Sequence, residues 1–300
     1  MAQTKTYEAI IIGGSYAGMS AALALGRSLR HTLIIDSGRP CNAPTPHSHN
    51  FLTRDGSTPQ EIASLAKEQL DRYASLDFFK GLAEQAVKTG DGFEIQTQSR
   101  DRFFGKKLIF ATGIRDRMPE IKGFSDCWGK SVIHCPYCHG YEFRNKRTGI
   151  LAPSEKAYHL AMLVRNLTPE LTLYTDPSGF SPEQFQKLKV HGIKIDSRKI
   201  LELQHHQGQL QKLIFSDGIQ ELEALYAGLP FEQHSKLPME LGCSLDQQGY
   251  LQTDMLQRCT VGGIYACGDN SSGMRSLAQA VHSGNMAGAA VNGELASEYF

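Results

Sequence analysis

The chain has 300 residues, enough for two domains that each bury a core. Hydrophobic residues make up 41% and charged residues 21%, the balance of an ordinary folded protein. Lysine and arginine (31) cancel aspartate and glutamate (31), so no net charge draws the chain to nucleic acid or to an acidic membrane surface.

Residues 1–6 are polar and lack the charged-then-apolar order of a signal peptide. No apolar run approaches the roughly 18 residues of a membrane span. The cysteines number 7 and are scattered, which gives no secreted disulfide framework. A reducing cytoplasm with one special pair is the simpler expectation.

Residues 7–12 are a short apolar run of β type. Gly13-Gly14-Ser15-Tyr16-Ala17-Gly18 follows, residues 19–29 read as a helix, and residues 33–36 read as a strand ending in Asp36. This is a βαβ unit with a glycine-rich first turn, the pattern of a dinucleotide site. Gly13 permits the tight turn and Gly18 lets the helix pack on the sheet. Backbone N–H groups at the helix start can hold pyrophosphate, and Asp36 can accept from a ribose hydroxyl. Ser15 stands where the middle glycine of the motif would be.

Residues 37–60 form a long loop rich in Pro, His and Asn, and loops of this length are often functional. His47 and His49 are close but unflanked by a carboxylate, and read as loop polars near a ligand. Residues 58–76 read as a helix, with Thr58 at the N-cap and Pro59 at N1. Residues 93–97 and 103–110 read as strands, the second running into Ala111-Thr112-Gly113.

Cys135-Pro136-Tyr137-Cys138-His139-Gly140 comes next. Two cysteines at this spacing can close a small redox-active disulfide. A helix N-terminus or nearby positive charge would raise the thiolate fraction. His139, directly after the second cysteine, can trade protons with a sulfur. Half of a zinc site and two buried thiols are the other readings. Zinc needs four ligands, usually from two such pairs, and the chain holds no second CxxC.

A second βαβ is legible at residues 149–152, 157–166 and 171–176. Its first turn, Pro153-Ser154-Glu155-Lys156, has no glycine, and Glu155 puts a negative charge where pyrophosphate would sit. Asp176 can serve a 2′-hydroxyl, but no arginine follows closely to meet a 2′-phosphate. Residues 193–228 read as a β-meander. Gly262-Gly263-Ile264-Tyr265-Ala266-Cys267-Gly268-Asp269 reads as a strand that delivers an acid at its end. Residues 277–291 read as a closing helix capped by Ser276, and Cys267 as a small core residue.

In order and spacing, GGSYAG at 13–18, ATG at 111–113, CPYCHG at 135–140 and GGIYACGD at 262–269 resemble the low-molecular-weight thioredoxin reductase family of flavin disulfide oxidoreductases. The resemblance covers almost the whole chain. It implies an α/β fold of two Rossmann-like (three-layer ββα) domains, the second inserted into the first. Residues 1–114 and 236–300 would form the FAD domain, and residues 115–235 the inserted domain with the redox pair. It places FAD on Gly13, Ser15, Ala17, Gly18 and Asp36, near Thr112 and Gly113, and on Gly268 and Asp269. Asn50 and the start of the last helix, around Gln279 and Ala280, would approach the flavin ring. Cys138 would exchange electrons with FAD, and Cys135 would attack the substrate.

The family commonly carries an acid after the second cysteine, where this chain has His139. CPYCHGYE resembles a divergent branch that includes small-molecule dithiol oxidases, which pass electrons to oxygen. The expected activity is thus FAD-dependent thiol–disulfide exchange through Cys135 and Cys138. The partner would be a thioredoxin-like protein or a small-molecule dithiol or disulfide. A non-turnover flavin redox sensor is a third reading. The glycine-free second turn leaves the role of NADPH or NADH open. The resemblance further implies a homodimer.

Overall fold

The computed structural model describes residues 5–300, so residues 1–4 of the polar leader lie outside it. The chain opens with β1 (Lys5–Ile12), α1 (Tyr16–Arg27), β2 (Thr32–Asp36), α2 (Pro59–Leu70) and β3 (Leu76–Lys80). β4 (Ala83–Thr89), β5 (Gly92–Thr97) and β6 (Arg102–Phe110) follow, then β7 (Ile114–Asp116). The middle of the chain holds α3 (Phe124–Cys127), β8 (Val132–Ile133), α4 (Pro136–His139), β9 (Thr148–Leu151), α5 (Ser154–Val164) and β10 (Leu171–Tyr174). It continues through α6 (Pro182–Val190), β11 (Lys194–Asp196), β12 (Glu202–His206), β13 (Gln209–Phe215), β14 (Gly218–Glu221) and β15 (Ala224–Ala227). β16 (Phe231–Gln233), α7 (Leu237–Glu240), β17 (Ile264–Ala266) and α8 (Leu277–Tyr299) complete it.

The first sheet runs β3-β2-β1-β6-β5-β4, with β17 also on β6. β6 pairs with β1 along one edge and, because it is long, serves two further partners on the other. Its first half pairs antiparallel with β5, and its last residues, Leu108 to Phe110, pair parallel with Ile264 to Ala266. The central strand β1 is apolar on both faces, as a strand covered on both sides must be, and Ala9, Ile10 and Ile11 are fully buried. One face packs under α1 and α8. Those helices approach closely because Gly284 lies against the Ala17 carbonyl and Gly288 against that of Ala21.

The second sheet is parallel, in the order β11-β10-β9-β15-β8. The two sheets, with helices on their faces, make the α/β Rossmann-type architecture expected from the sequence. β7 leaves the first sheet and pairs with returning β16, a two-stranded ribbon through which the chain passes both ways.

Three local readings change and one holds. α2 ends at Leu70, and Leu76 already belongs to β3, an edge strand whose exposed residues concealed it. The Thr58 cap holds as a full capping box with Glu61: the Glu61 N–H donates to Thr58 Oγ1 at 3.2 Å, and the Thr58 N–H to Glu61 Oε2 at 2.8 Å. The meander is only β12-β13-β14, because β11 and β15 join the parallel sheet instead. The closing helix runs on to Tyr299.

Candidate active site

The β1–α1 turn is pressed onto the segment after β6. Gly13 adopts φ +105°, and a Cβ there would overlap the Ala111 carbonyl oxygen. A Cβ on Gly18 would overlap the Gly13 carbonyl oxygen. No residue but glycine fits either place. Ser15 is the N-cap of α1, yet its hydroxyl makes no capping bond. Asp36, at the end of β2, accepts from the Gly14 N–H at 3.0 Å. The Gly268 N–H donates to Ser283 Oγ at 3.0 Å and ties the end of β17 to α8.

A cavity of about 740 Å³ opens above this turn. Gly13, Ser15, Ala17, Asp36, Thr112, Gly113, Gly268, Asp269 and Ala280 line it, together with Cys138 and His139. Gly18 supports the turn from beneath. Asn50 and Gln279 stand outside the lining. Asn50 is exposed at φ +58° and gives its N–H to Asp55 at 2.7 Å, while the Gln279 N–H is taken by Ser276 Oγ at 3.2 Å.

A compact charged group closes one wall. Arg275, just before α8, donates to both Asp116 oxygens at 2.8 Å each, and its Nε lies 3.5 Å from Asp269 Oδ2. That Nε and Asn270 Oδ1 are buried without a hydrogen-bond partner. Burial raises the Asp269 carboxyl, with Arg275 pulling the other way. Nothing in the linear sequence marks Arg275 or Asp116, which stand 159 residues apart.

Cys135 and Cys138 are joined as a disulfide, with Cα atoms 5.3 Å apart. Cys135 is the N-cap of α4, Pro136 fills its first turn, and the Cys135 sulfur accepts from the Cys138 N–H at 3.1 Å. Gly140 lets α4 pack tightly, since a Cβ there would overlap the Pro136 carbonyl and crowd the Tyr226 hydroxyl at 3.0 Å. Cys138 lines the cavity and Cys135 does not. Tyr137 and Tyr141 stand exposed beside the pair.

His139 also faces the cavity. Burial lowers its pKa, the neighbouring His49 lowers it further, and Glu142 works against both. The ring is therefore neutral at pH 7 and can accept a proton. His134 packs on Trp128, ring centroids 6.1 Å apart. Burial, then the Arg275 charge, pushes it down to about 3. Among the described residues no His, Cys, Asp and Glu side chains converge as a metal site.

The second βα turn is closed by the chain itself. The Ser154 hydroxyl at the start of α5 donates to the Asp176 carbonyl at 2.8 Å, and Gly179 lies so close that a Cβ would overlap Ser154 Oγ. The Asp176 carboxylate accepts from the Ser178 N–H at 2.9 Å. The nearby Arg198 is held by Asp196 at 2.7 Å and Asp217 at 3.3 Å.

A glycine turn under a cavity, with one cysteine of a CxxC disulfide in the cavity wall, is the construction of a thiol–disulfide oxidoreductase. The chain belongs to the pyridine nucleotide-disulphide oxidoreductase family, whose model matches residues 7–286. It is 32% identical to the thioredoxin reductase tcpT of Claviceps purpurea, over 99% of this chain and 97% of that one. It is 29% identical to the thioredoxin reductase aclD of Aspergillus oryzae, over 97% and 96%. An oxidoreductase from Agrobacterium tumefaciens superposes with a TM-score of 0.91 at 34% identity, covering 97% of this chain and 99% of the other. The enzyme is thus thioredoxin reductase-like.

Proposed function

We propose that this enzyme holds FAD in the cavity and moves two electrons between it and a substrate dithiol or disulfide through Cys135 and Cys138. The observation that carries the reading is that Cys138 lines the same cavity as the glycine turn while Cys135 lies outside it. The residues fit the cofactor. The Gly13 cradle would meet pyrophosphate with backbone N–H groups, and Asp36 would take a ribose hydroxyl. Asp269 and the unpartnered Arg275 Nε supply an acceptor and a donor for the ribityl and phosphate region. The flavin, when bound, supplies the two-electron chemistry. Residues 1–114 and 236–300 are the FAD domain in this reading, and residues 115–235 the inserted one.

The chain's own steps are exchange and proton transfer. Cys135 is the outer sulfur that meets the substrate, and Cys138 is the inner sulfur. His139, neutral at pH 7, takes the thiol proton. Exposed Tyr137 and Tyr141 give the substrate an apolar approach. A cytoplasmic homodimer belongs to this reading through the family resemblance.

A second reading is favoured by the closed turn at Ser154. Pyrophosphate would have to displace the Pro177–Gly179 turn, and Arg198 is already paired with two carboxylates. A small-molecule dithiol oxidase, fed by its substrate and drained by oxygen, needs neither. Anaerobic mixing with NADPH, NADH and a dithiol tests both readings. Bleaching by the dithiol alone, reversed by oxygen, supports the oxidase. Fast, saturable bleaching by NADPH overturns it, and absence of FAD from the isolated protein overturns the first proposal.

A further inference from the structure

The loop that carries His49 is closed on itself by backbone hydrogen bonds. The Ser48 N–H donates to the Ser57 carbonyl at 2.8 Å, and the Gly56 N–H to the Ser48 carbonyl at 2.9 Å, which pins the two ends of the turn together. Within it Asn50 has φ +58° and Thr53 φ +74°, the latter a β-branched residue in the left-handed region. Strain of this kind persists only where the surroundings enforce the conformation. The result is that His49 faces α4.

Its ring meets His139 edge-on, with centroids 6.4 Å apart and an interplanar angle of 89°. Nε2 lies 3.6 Å from Glu142 Oε1, and Nδ1 lies 3.7 Å from Asp55 Oδ1. His47 is the remaining ring nearby, centroids 6.5 Å away, and bonds the Gly56 carbonyl instead. The titratable neighbours of His139 are His49, Glu142 and, farther off, His134, and it follows Cys138 directly in the chain. Exposure rises outward: the His49 side chain is 21% accessible, Glu142 38% and Asp55 68%. His49 and His139 both line the cavity that holds Cys138.

We propose that His49 is the second station of a proton path, taking protons from His139 and delivering them to water at Glu142 and Asp55. This rests on the thiol–disulfide exchange proposed above. In its first step a substrate sulfur bonds to Cys135 Sγ as the Cys135–Cys138 bond breaks. The electron pair stays on Cys138 Sγ, and the substrate thiol's proton goes to His139. In the second step the other substrate thiol attacks the sulfur bonded to Cys135. The substrate disulfide forms, the pair stays on Cys135 Sγ, and the second thiol's proton also passes to His139. The substrate loses two electrons and the protein disulfide gains them. One imidazole stores one proton, so the first must leave His139 before the second arrives. His49, whose ring is the imidazole packed against His139, is the group placed to take it. It acts through His139 and is therefore a positioning residue for the reaction.

The test reduces the isolated protein anaerobically with excess dithiothreitol, quenches with an alkylating reagent, and counts mixed disulfide and free thiols by mass spectrometry from pH 5.5 to 9. In His49→Asn, full opening at pH 6–7 is expected to slow about tenfold, a fraction of a usual general-base effect. The mixed disulfide should accumulate, and the defect should vanish near pH 9, where the reagent ionises by itself. Added imidazole should restore His49→Gly, which separates proton transfer from loop damage. Wild-type rates and profile in His49→Asn, or a defect that imidazole leaves untouched, would overturn the relay. If His139→Asn is slow while His49→Asn is normal, the relay fails and His139 remains the base. If both are normal, the relay and the assigned base fall together, while a requirement for both cysteines would leave the exchange reaction standing.

Discussion

Arg275 grips Asp116 through two parallel hydrogen bonds of 2.8 Å, joining the loop before α8 to the strand by which the chain leaves the first sheet. Both side chains are largely buried, at 15% and 8% accessibility. Planar guanidinium matches carboxylate in this geometry, and lysine would not. Removing one partner strands the other charge. Arg275→Leu should therefore destabilise by about 3–5 kcal/mol, and Arg275→Leu with Asp116→Leu by less than the sum of the single changes. Urea unfolding midpoints of the three variants measure this; additive losses would show that the pair is not coupled.

Asp269 should matter for holding FAD. It is half-buried, faces the cavity, and has Arg275 Nε at 3.5 Å as a neighbour. Asp269→Ala removes an acceptor that a hydroxyl of the cofactor would use, worth about 1–3 kcal/mol. FAD affinity by equilibrium dialysis should fall roughly five- to 150-fold, since 1.4 kcal/mol is tenfold. An unchanged Kd would remove Asp269 from the site.

The two cysteines should fail differently. Cys135→Ser leaves the inner sulfur facing the cavity but removes the outer one, so substrate turnover should stop. Cys138→Ser removes the sulfur in the cavity wall, so a dithiol should no longer bleach the flavin. Normal turnover in either variant excludes the exchange mechanism. His139→Ala should slow turnover about 10²–10⁴-fold and shift its pH profile. A change in stability with an unchanged profile would mark the ring as merely structural.

Acid should destabilise this protein through its half-buried imidazoles. His134 has a folded pKa of about 3 against an ordinary 6.5, because burial disfavours the charged ring. The unfolded chain binds a proton below pH 6.5 and the folded one does not, so this contribution is complete above 6.5 and is lost as pH falls towards 3. His139 is shifted the same way. Between pH 7.5 and 5, stability should drop by on the order of 2 kcal/mol from His134 alone, at about 1.4 kcal/mol per unit. His134→Phe should flatten that slope in urea titrations; an equal slope would show that other groups carry it.

Much of this protein was legible in its linear order. The first βαβ, the redox spacing at Cys135 and Cys138, the glycine-free turn at Ser154 and the cap at Thr58 are local patterns. Each is set by residues within a few positions of one another, where propensity and spacing act directly. The α/β class is implied by the family resemblance, and the two βαβ units agree with it. Edge strands such as β3 and β4 were hidden because their exposed residues carry no apolar run. β11 and β15 read as meander strands yet join the parallel sheet, because strand partners are chosen by burial across the whole sheet, not by neighbours in sequence.

The site itself was decided by the tertiary structure. Which cysteine faces the cavity depends on how α4 packs against Tyr226. The Arg275–Asp116 pair and the approach of His49 to His139 join segments 159 and 90 residues apart. No periodicity encodes such meetings. They exist because folding buries charge and imidazole together, where each group needs the other in place of water.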